Sequence, residues 1–311
     1  MSTIKNYLSL IKFSHTIFAM PFALIGFFLG LFHKVFGGEA FLVTGDCIPF
    51  MVNTYTLFTW TETIIKFVLV ILCMVFARSA AMAFNRYLDR KFDAQNPRTA
   101  IREIPKGIIT PKNALIFTIA NCLLFVVTCF FINTACLILA PIALFVILFY
   151  SYTKRFTALC HLVLGVGLSL APIGAYLAVT GKFALLPVLF SFTVLFWVSG
   201  FDIIYALQDE DFDKSQHLHS IPAALGKTKA LRVSELLHLL SAACVITIGI
   251  DGHFGLWYWI GVAVFIGMLI YQHSIVKPND LRRVNIAFMT ANGIASVVFA
   301  VFVLLDIFIH H

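Results

Sequence analysis

Charge is scarce in this sequence. Lys, Arg, Asp and Glu together make up 12% of its 311 residues, about half the ~25% of an ordinary soluble domain. With 60% of the residues hydrophobic, a core in water could not bury the apolar surface, so a soluble globular fold is excluded. Few basic residues interrupt the apolar runs, and no basic stripe is interleaved with stacking aromatics, which excludes nucleic acid as a partner. The seven cysteines, Cys47, Cys73, Cys122, Cys129, Cys136, Cys160 and Cys244, show no CxxC spacing. They lie mostly inside apolar runs and read as small buried hydrophobes, not as zinc ligands or a disulfide frame. His217 and His219 lack a third ligand and read as loop residues. No A-x-A-like cleavage site follows the first apolar stretch, Phe13 to Phe32, so it reads as a retained helix and not a signal peptide.

What fills the chain instead suits hydrocarbon. Thirty-three Phe and a mean hydropathy of +0.95 fit a lipid bilayer. A helix needs about 20 apolar residues to cross roughly 30 Å of membrane. That length predicts spans near 13–32, 64–86, 113–131, 134–152, 159–179, 184–206, 230–250, 254–275 and 284–308. The expected fold class is all-α, a polytopic membrane bundle of about nine transmembrane helices, with residues 1–311 forming one domain. The connections at Asn133-Thr134 and 180–183 are so short that the helices on either side are the hardest to separate.

Basic residues alternate between successive connections. One set holds Lys5 and Lys12, seven residues from Arg86 to Lys112, Lys154 and Arg155, four from Lys214 to Arg232, and Lys277, Arg282 and Arg283, or 18 of 22. The other set has Lys34, Lys66 and Lys182, and Arg78 falls within a span. The positive-inside rule then puts the N-terminus and the basic loops in the cytoplasm, in a multi-pass protein of the cell (inner) membrane. The loop at 33–63 faces outward and carries no recognisable chemistry. Asp306, near the outer end of the last span, is expected to reach water.

Two acidic clusters stand at cytoplasmic span ends. Asn85, Asp89 and Asp93 are spaced i, i+4 and i+8 and share a face if the helix continues. Asp202, Asp209 and Asp213, at i, i+7 and i+11, share a face on the same condition. Asp202 lies deeper, where a charge costs about 2.5–3.5 kcal/mol on the insertion scale and so calls for a partner or a function. Two acidic helix ends on one membrane face repel unless cations stand between them. Oxygen donors of this kind suit Mg²⁺, which takes one or two carboxylates, keeps waters and bridges to phosphates. Arg98, Arg102, Lys154, Arg155 and Lys214, expected at the same surface, are the donor types that clamp a diphosphate.

At these residues the sequence resembles the UbiA superfamily of membrane aromatic prenyltransferases. Its signatures, Asn-x-x-x-Asp-x-x-x-Asp and Asp-x-x-x-Asp, are met by Asn85, Asp89 and Asp93 and by Asp209 and Asp213. Tyr152-Thr153-Lys154-Arg155, Arg98-Thr99-Ala100 and Tyr205-Ala206 extend the likeness. The resemblance implies nine helices around a central cavity, the two motifs facing each other through Mg²⁺ and diphosphate. It implies transfer of a polyprenyl group from polyprenyl diphosphate to an aromatic hydroxy acid, 4-hydroxybenzoate-like, in quinone biosynthesis. Two features depart from that pattern. Arg86 follows the motif asparagine where the 4-hydroxybenzoate group often has Asp, and the stretch 207–222 looks more like a branch that prenylates a dihydroxynaphthoate acceptor for menaquinone. The site set is then Asp89, Asp93, Asp209, Asp213 and Asp202 as catalytic residues. Asn85 joins the four motif aspartates on metal, and Arg98, Arg102, Lys154, Arg155, Tyr205 and Lys214 meet the substrate. Asp202 or a motif aspartate is expected to take the ring proton. A secondary transporter is the rival from another class; it predicts acids near the bilayer midplane and an internal repeat.

Overall fold

A computed structural model describes residues 3–11, 18–36 and 60–310. Lys12, residues 13–17 of the expected first span, Cys47 and most of the expected outward loop lie outside the described residues. After the short α1 (Thr3–Leu10), the chain forms α2 (Met20–Phe36), α3 (Trp60–Gln95), α4 (Pro111–Ile132), α5 (Thr134–Thr153) and α6 (Cys160–Thr180). Then follow α7 (Leu185–Ala206), α8 (Glu210–Ser215), α9 (Ile221–Asp251), α10 (Leu256–Ile275) and α11 (Asn292–His310). Among the described residues eight helical segments are long and apolar enough to cross a membrane, and α2 adds a shorter apolar helix, Met20–His33.

The closely joined helices are distinct because side chains cap them. Asn133 ends α4 and starts α5 at once: its Oδ1 accepts from the Cys136 N–H at 2.8 Å. Its Nδ2 donates to the carbonyls of Leu177 (2.9 Å) and Ala178 (3.2 Å) on α6. One polar side chain thus satisfies backbone groups that lipid would leave unpaired. Two helices run well past the expected spans, because hydropathy registers only the part inside hydrocarbon. At 36 residues, α3 is about 54 Å long, so its polar last turns stand clear of the apolar layer. On α9 the Ser220 hydroxyl accepts from the Ala223 N–H at 3.2 Å and Pro222 occupies the first turn. The helix breaks at Gly226, whose φ of 76° is open to glycine at little cost.

α6 packs against α2, α5 and α7; α7 against α9; α3 against α4 and α5; α10 against α9 and α11. α2 and α6 approach so closely that a Cβ on Gly26 would sit 2.0 Å from the Pro172 carbonyl oxygen. Without a hydrophobic drive between helices in lipid, such small-residue contacts carry association. Phe22, Trp197, Phe265 and Phe299, fully buried, interlock with ring centroids 5.2–6.5 Å apart. A π-helical turn, Ile286–Ala291, precedes α11. There the Asn292 amide donates to the Ala287 and Phe288 carbonyls (3.2 and 3.0 Å) and accepts from Trp197 Nε1 at 2.9 Å.

Asp306 corrects an expectation. It is fully buried, and its two oxygens accept from the N–H groups of Gly255 (2.7 Å) and Tyr258 (3.2 Å). The first N–H groups of α10 have no partner within their own helix, and this carboxylate from α11 supplies one.

Candidate active site

The continuation of α3 to Gln95 keeps Asn85, Asp89 and Asp93 on one helical face. The second cluster is built differently from the expected unbroken helix. α7 stops at Ala206, a 3₁₀ turn carries Asp209, and α8 carries Asp213, so Asp202 is set apart in register from the other two. Both clusters nevertheless line one cavity of about 170 Å³, together with Asp202, Arg98, Arg102, Lys154, Arg155 and Tyr205. Lys214 does not join them. From a half-exposed side chain, its Nζ bonds Oε1 of the buried Glu210 at 2.6 Å, one turn away on α8, so its expected contact with substrate is not supported by its position.

Each motif aspartate is matched by one cation. Arg155 Nη2 reaches Asp89 Oδ1 at 2.8 Å, and Arg102 Nη1 reaches Asp93 Oδ1 at 2.7 Å. Lys154 Nζ reaches Asp213 Oδ1 at 2.7 Å, and Arg98 grips both oxygens of Asp209, with Nε donating at 3.0 Å. Further donors fix the carboxylates: Asn85 on Asp89 (3.1 Å), Asn96 on Asp209 (3.2 Å) and Ser220 on Asp213 (2.8 Å). Burial pulls the Lys154 ammonium down, but Asp213 beside it outweighs that and holds it above its usual value. Arg98 is raised in the same way: desolvation opposes its charge and Asp209 overrides it. Tyr205 receives Arg98 Nη1 on its hydroxyl at 2.8 Å and packs its ring, tilted, against Phe288, centroids 4.2 Å apart.

A second, larger chamber of about 850 Å³ adjoins this cavity and shares Asn85, Arg98, Arg102, Tyr150, Asp202 and Tyr205 with it. Its volume lies in the range of small-molecule sites. Its walls are mostly Ala, Leu, Ile, Val, Phe and Met from α3 to α7, interrupted by Arg78 and Arg86. Arg78 Nε and Arg86 Nε and Nη1 are buried and have no hydrogen-bond partner.

The donors suit a hard cation in kind, since every group facing the cavity from the two motifs is an oxygen or amide. Asp93 Oδ2 is buried and unpaired, an acceptor that a metal would satisfy. Among the described residues no three His, Cys, Asp or Glu side chains converge as a ready-made cage.

The sequence profile described as the UbiA prenyltransferase family matches residues 41–294. The chain belongs to this family. Curated relatives include the 4-hydroxybenzoate octaprenyltransferases of Nitrosospira multiformis, 29% identical over 75% of this chain and 80% of that protein, and of Nitrosomonas europaea, 30% identical with the same coverage. Among solved structures, a UbiA homolog from Aeropyrum pernix superposes with a TM-score of 0.76 at 27% identity, covering 94% of this chain and 98% of that one. A UbiA homolog from Archaeoglobus fulgidus, bound to DMAPP and Mg²⁺, has the same fold, with a TM-score of 0.66 at 19% identity over 98% and 99%. This UbiA-family chain is therefore a multi-pass membrane prenyltransferase, and the transporter reading falls.

Several lining residues escape a motif reading of this prenyltransferase. Tyr150, His161 and Asn96 lie on the cavity wall, and Arg78 on the chamber wall. Two of them had a signal available, since an arginine or histidine inside an apolar span is costly unless used. Ser220 was detectable as the cap before Ile221-Pro222, though nothing in that pattern points to Asp213.

Proposed function

We propose that this prenyltransferase moves a polyprenyl group from polyprenyl diphosphate onto a 4-hydroxybenzoate-like aromatic hydroxy acid, in respiratory quinone biosynthesis. The observation that carries the acceptor assignment is Arg78: a guanidinium whose buried Nε has no partner, on the wall of an apolar chamber that opens onto the acid-lined cavity. A buried charge without a counterion is costly, and a small acid carrying its carboxylate on an apolar ring would supply one. Haem or a phospholipid precursor would not match this combination as well. Arg86, the departure noted in the first motif, lies two turns along α3 and adds positive potential on the diphosphate side.

Asn85, Asp89, Asp93, Asp209 and Asp213 would hold Mg²⁺, a reading supported by the Archaeoglobus fulgidus homologs bound to Mg²⁺ together with DMAPP or GPP. When bound, the metal offsets charge gathering on the departing diphosphate. Arg98, Arg102, Lys154 and Arg155 release their carboxylates and donate to diphosphate oxygens instead, stabilising the same charge. The apolar chamber keeps water from the allylic carbon, while Arg78 fixes the acceptor by its carboxylate. Asp202, on the wall common to both spaces, takes the ring proton.

Mass spectrometry of products decides the reading. Purified protein is given Mg²⁺, a polyprenyl diphosphate and an equimolar mixture of 4-hydroxybenzoate and a dihydroxynaphthoate. Prenylated hydroxybenzoate is the expected main product. Prenylated naphthoate alone would move the chain to the menaquinone branch, and no aromatic product at all would defeat the assignment.

A further inference from the structure

Asp202 differs from every motif aspartate in its partner. Each motif carboxylate is neutralised by Lys or Arg, whereas Asp202 Oδ2 meets only an imidazole, His161 Nδ1, at 2.7 Å. His161 stands in the first turn of α6 and is 3% exposed. Its other nitrogen, Nε2, receives the backbone N–H of Ile221 at 3.4 Å, the first residue of α9. A ring nitrogen that accepts carries no proton, so the proton resides on Nδ1 and is donated to Asp202. The start of α9 thus sets the tautomer and orientation of the ring, and the ring sets the carboxylate. Asp202 Oδ1 has no protein partner among the described residues, and the residue lines both the acid cavity and the apolar chamber.

From this chain of contacts we infer that His161 is a positioning residue that holds Asp202 ready as the ring-proton acceptor. The inference rests on the aromatic-acceptor reading above. In the step it serves, the ring π pair forms a bond to the allylic carbon and the carbon–oxygen bond breaks, its pair leaving on diphosphate. The ring C–H bond then returns its pair to the ring and gives its proton to Asp202 Oδ1. A fixed cation in place of His161 would make the carboxylate a weaker base. A neutral imidazole N–H orients it with a smaller loss of basicity, the relation a triad carboxylate and histidine show with roles reversed.

The test compares wild type, His161→Leu and His161→Asn, using 4-hydroxybenzoate and its ring-deuterated form. Leu removes the donor at similar bulk, whereas the Asn amide N–H can replace Nδ1–H. For His161→Leu, kcat is expected to fall roughly 10²-fold, within the range of general-base contributions, with KM for both substrates within about 3-fold. A primary deuterium effect should appear, because ring-proton loss becomes slow, while wild type shows an effect near 1. His161→Asn should recover at least about 10-fold in rate, its isotope effect shrinking as the rate approaches that of wild type. Turnover of His161→Leu equal to wild type would overturn the inference alone, as would a loss with no isotope effect and no recovery by Asn. No aromatic product from wild type would overturn the acceptor reading and this inference together.

Discussion

Replacing Arg78 with Met should raise stability and lower activity at once. Met keeps an apolar stem of similar reach but removes a guanidinium whose Nε is buried without a partner. An unsatisfied buried polar group costs about 1–3 kcal/mol, so the ligand-free Arg78→Met protein should unfold at a higher temperature in detergent. With acceptor bound the sign reverses. A hydrogen bond to a charged partner contributes about 1.5–3 kcal/mol, and about 1.4 kcal/mol is a factor of ten. The kcat/KM for 4-hydroxybenzoate should therefore drop roughly 10–10²-fold, with KM for the prenyl diphosphate unchanged. The decisive assay pairs each protein with 4-hydroxybenzoate and with an analogue lacking the carboxylate. Wild type should favour the acid by that factor, and Arg78→Met should treat the two alike. A variant that keeps the full preference for the acid would refute the reasoning.

Chelating divalent ions with EDTA should abolish prenyl transfer, and Asp93→Asn, which alters the unpaired Oδ2, should raise the Mg²⁺ concentration for half-maximal rate at least about 10-fold; an unchanged Mg²⁺ titration would count against a metal role for Asp93. Asp89→Ala and Asp209→Ala should each lose transfer at least about 10²-fold in a product assay, whereas Lys214→Ala, directed at Glu210, should stay within about 2-fold of wild type. Lys154 is held above its usual value by Asp213, so its charge persists at neutral and mildly alkaline pH and is lost only as pH rises past that raised value. Lys154→His should instead weaken donor binding as pH climbs through about 6.5, a limb absent from wild type when KM for the diphosphate is followed from pH 6 to 8.5. Asp306→Ala should cost about 1–2 kcal/mol through loss of the α10 cap, measured as a lower unfolding temperature, with Asp306→Asn intermediate.

The helices were readable because lipid enforces one rule, that about 20 apolar residues are needed per crossing. The same rule hides what happens at the edges. Nine more residues of α3 are mostly polar sequence held helical by continuation, and the early start of α9, which carries Pro222 and Gly226, is held by the Ser220 cap. The motif residues could be read from spacing, and so could their shared membrane face. What spacing could not give was the 3₁₀ turn at Leu207–Asp209, which depends on how α8 settles against α9 and separates Asp202 from its apparent companions. Lys214 stands apart from the cavity for a related reason: proximity in sequence to Asp213 says nothing about which residues of a two-turn helix face inward. Asp306 was expected to reach water because depth along α11 was legible and the packing of the start of α10 against it was not.

The four aspartate–cation pairs have a consequence for the order of events. On the proposed reading, a carboxylate already matched by arginine or lysine has little to gain from a bare divalent ion, so the site would resist loading with metal alone. A diphosphate arriving with its ion offers each guanidinium or ammonium an alternative anion and frees the carboxylates for the metal in the same exchange. Metal uptake and donor recognition would then be a single coupled step, and the charges that ionise an allylic ester would be assembled only with that ester in place.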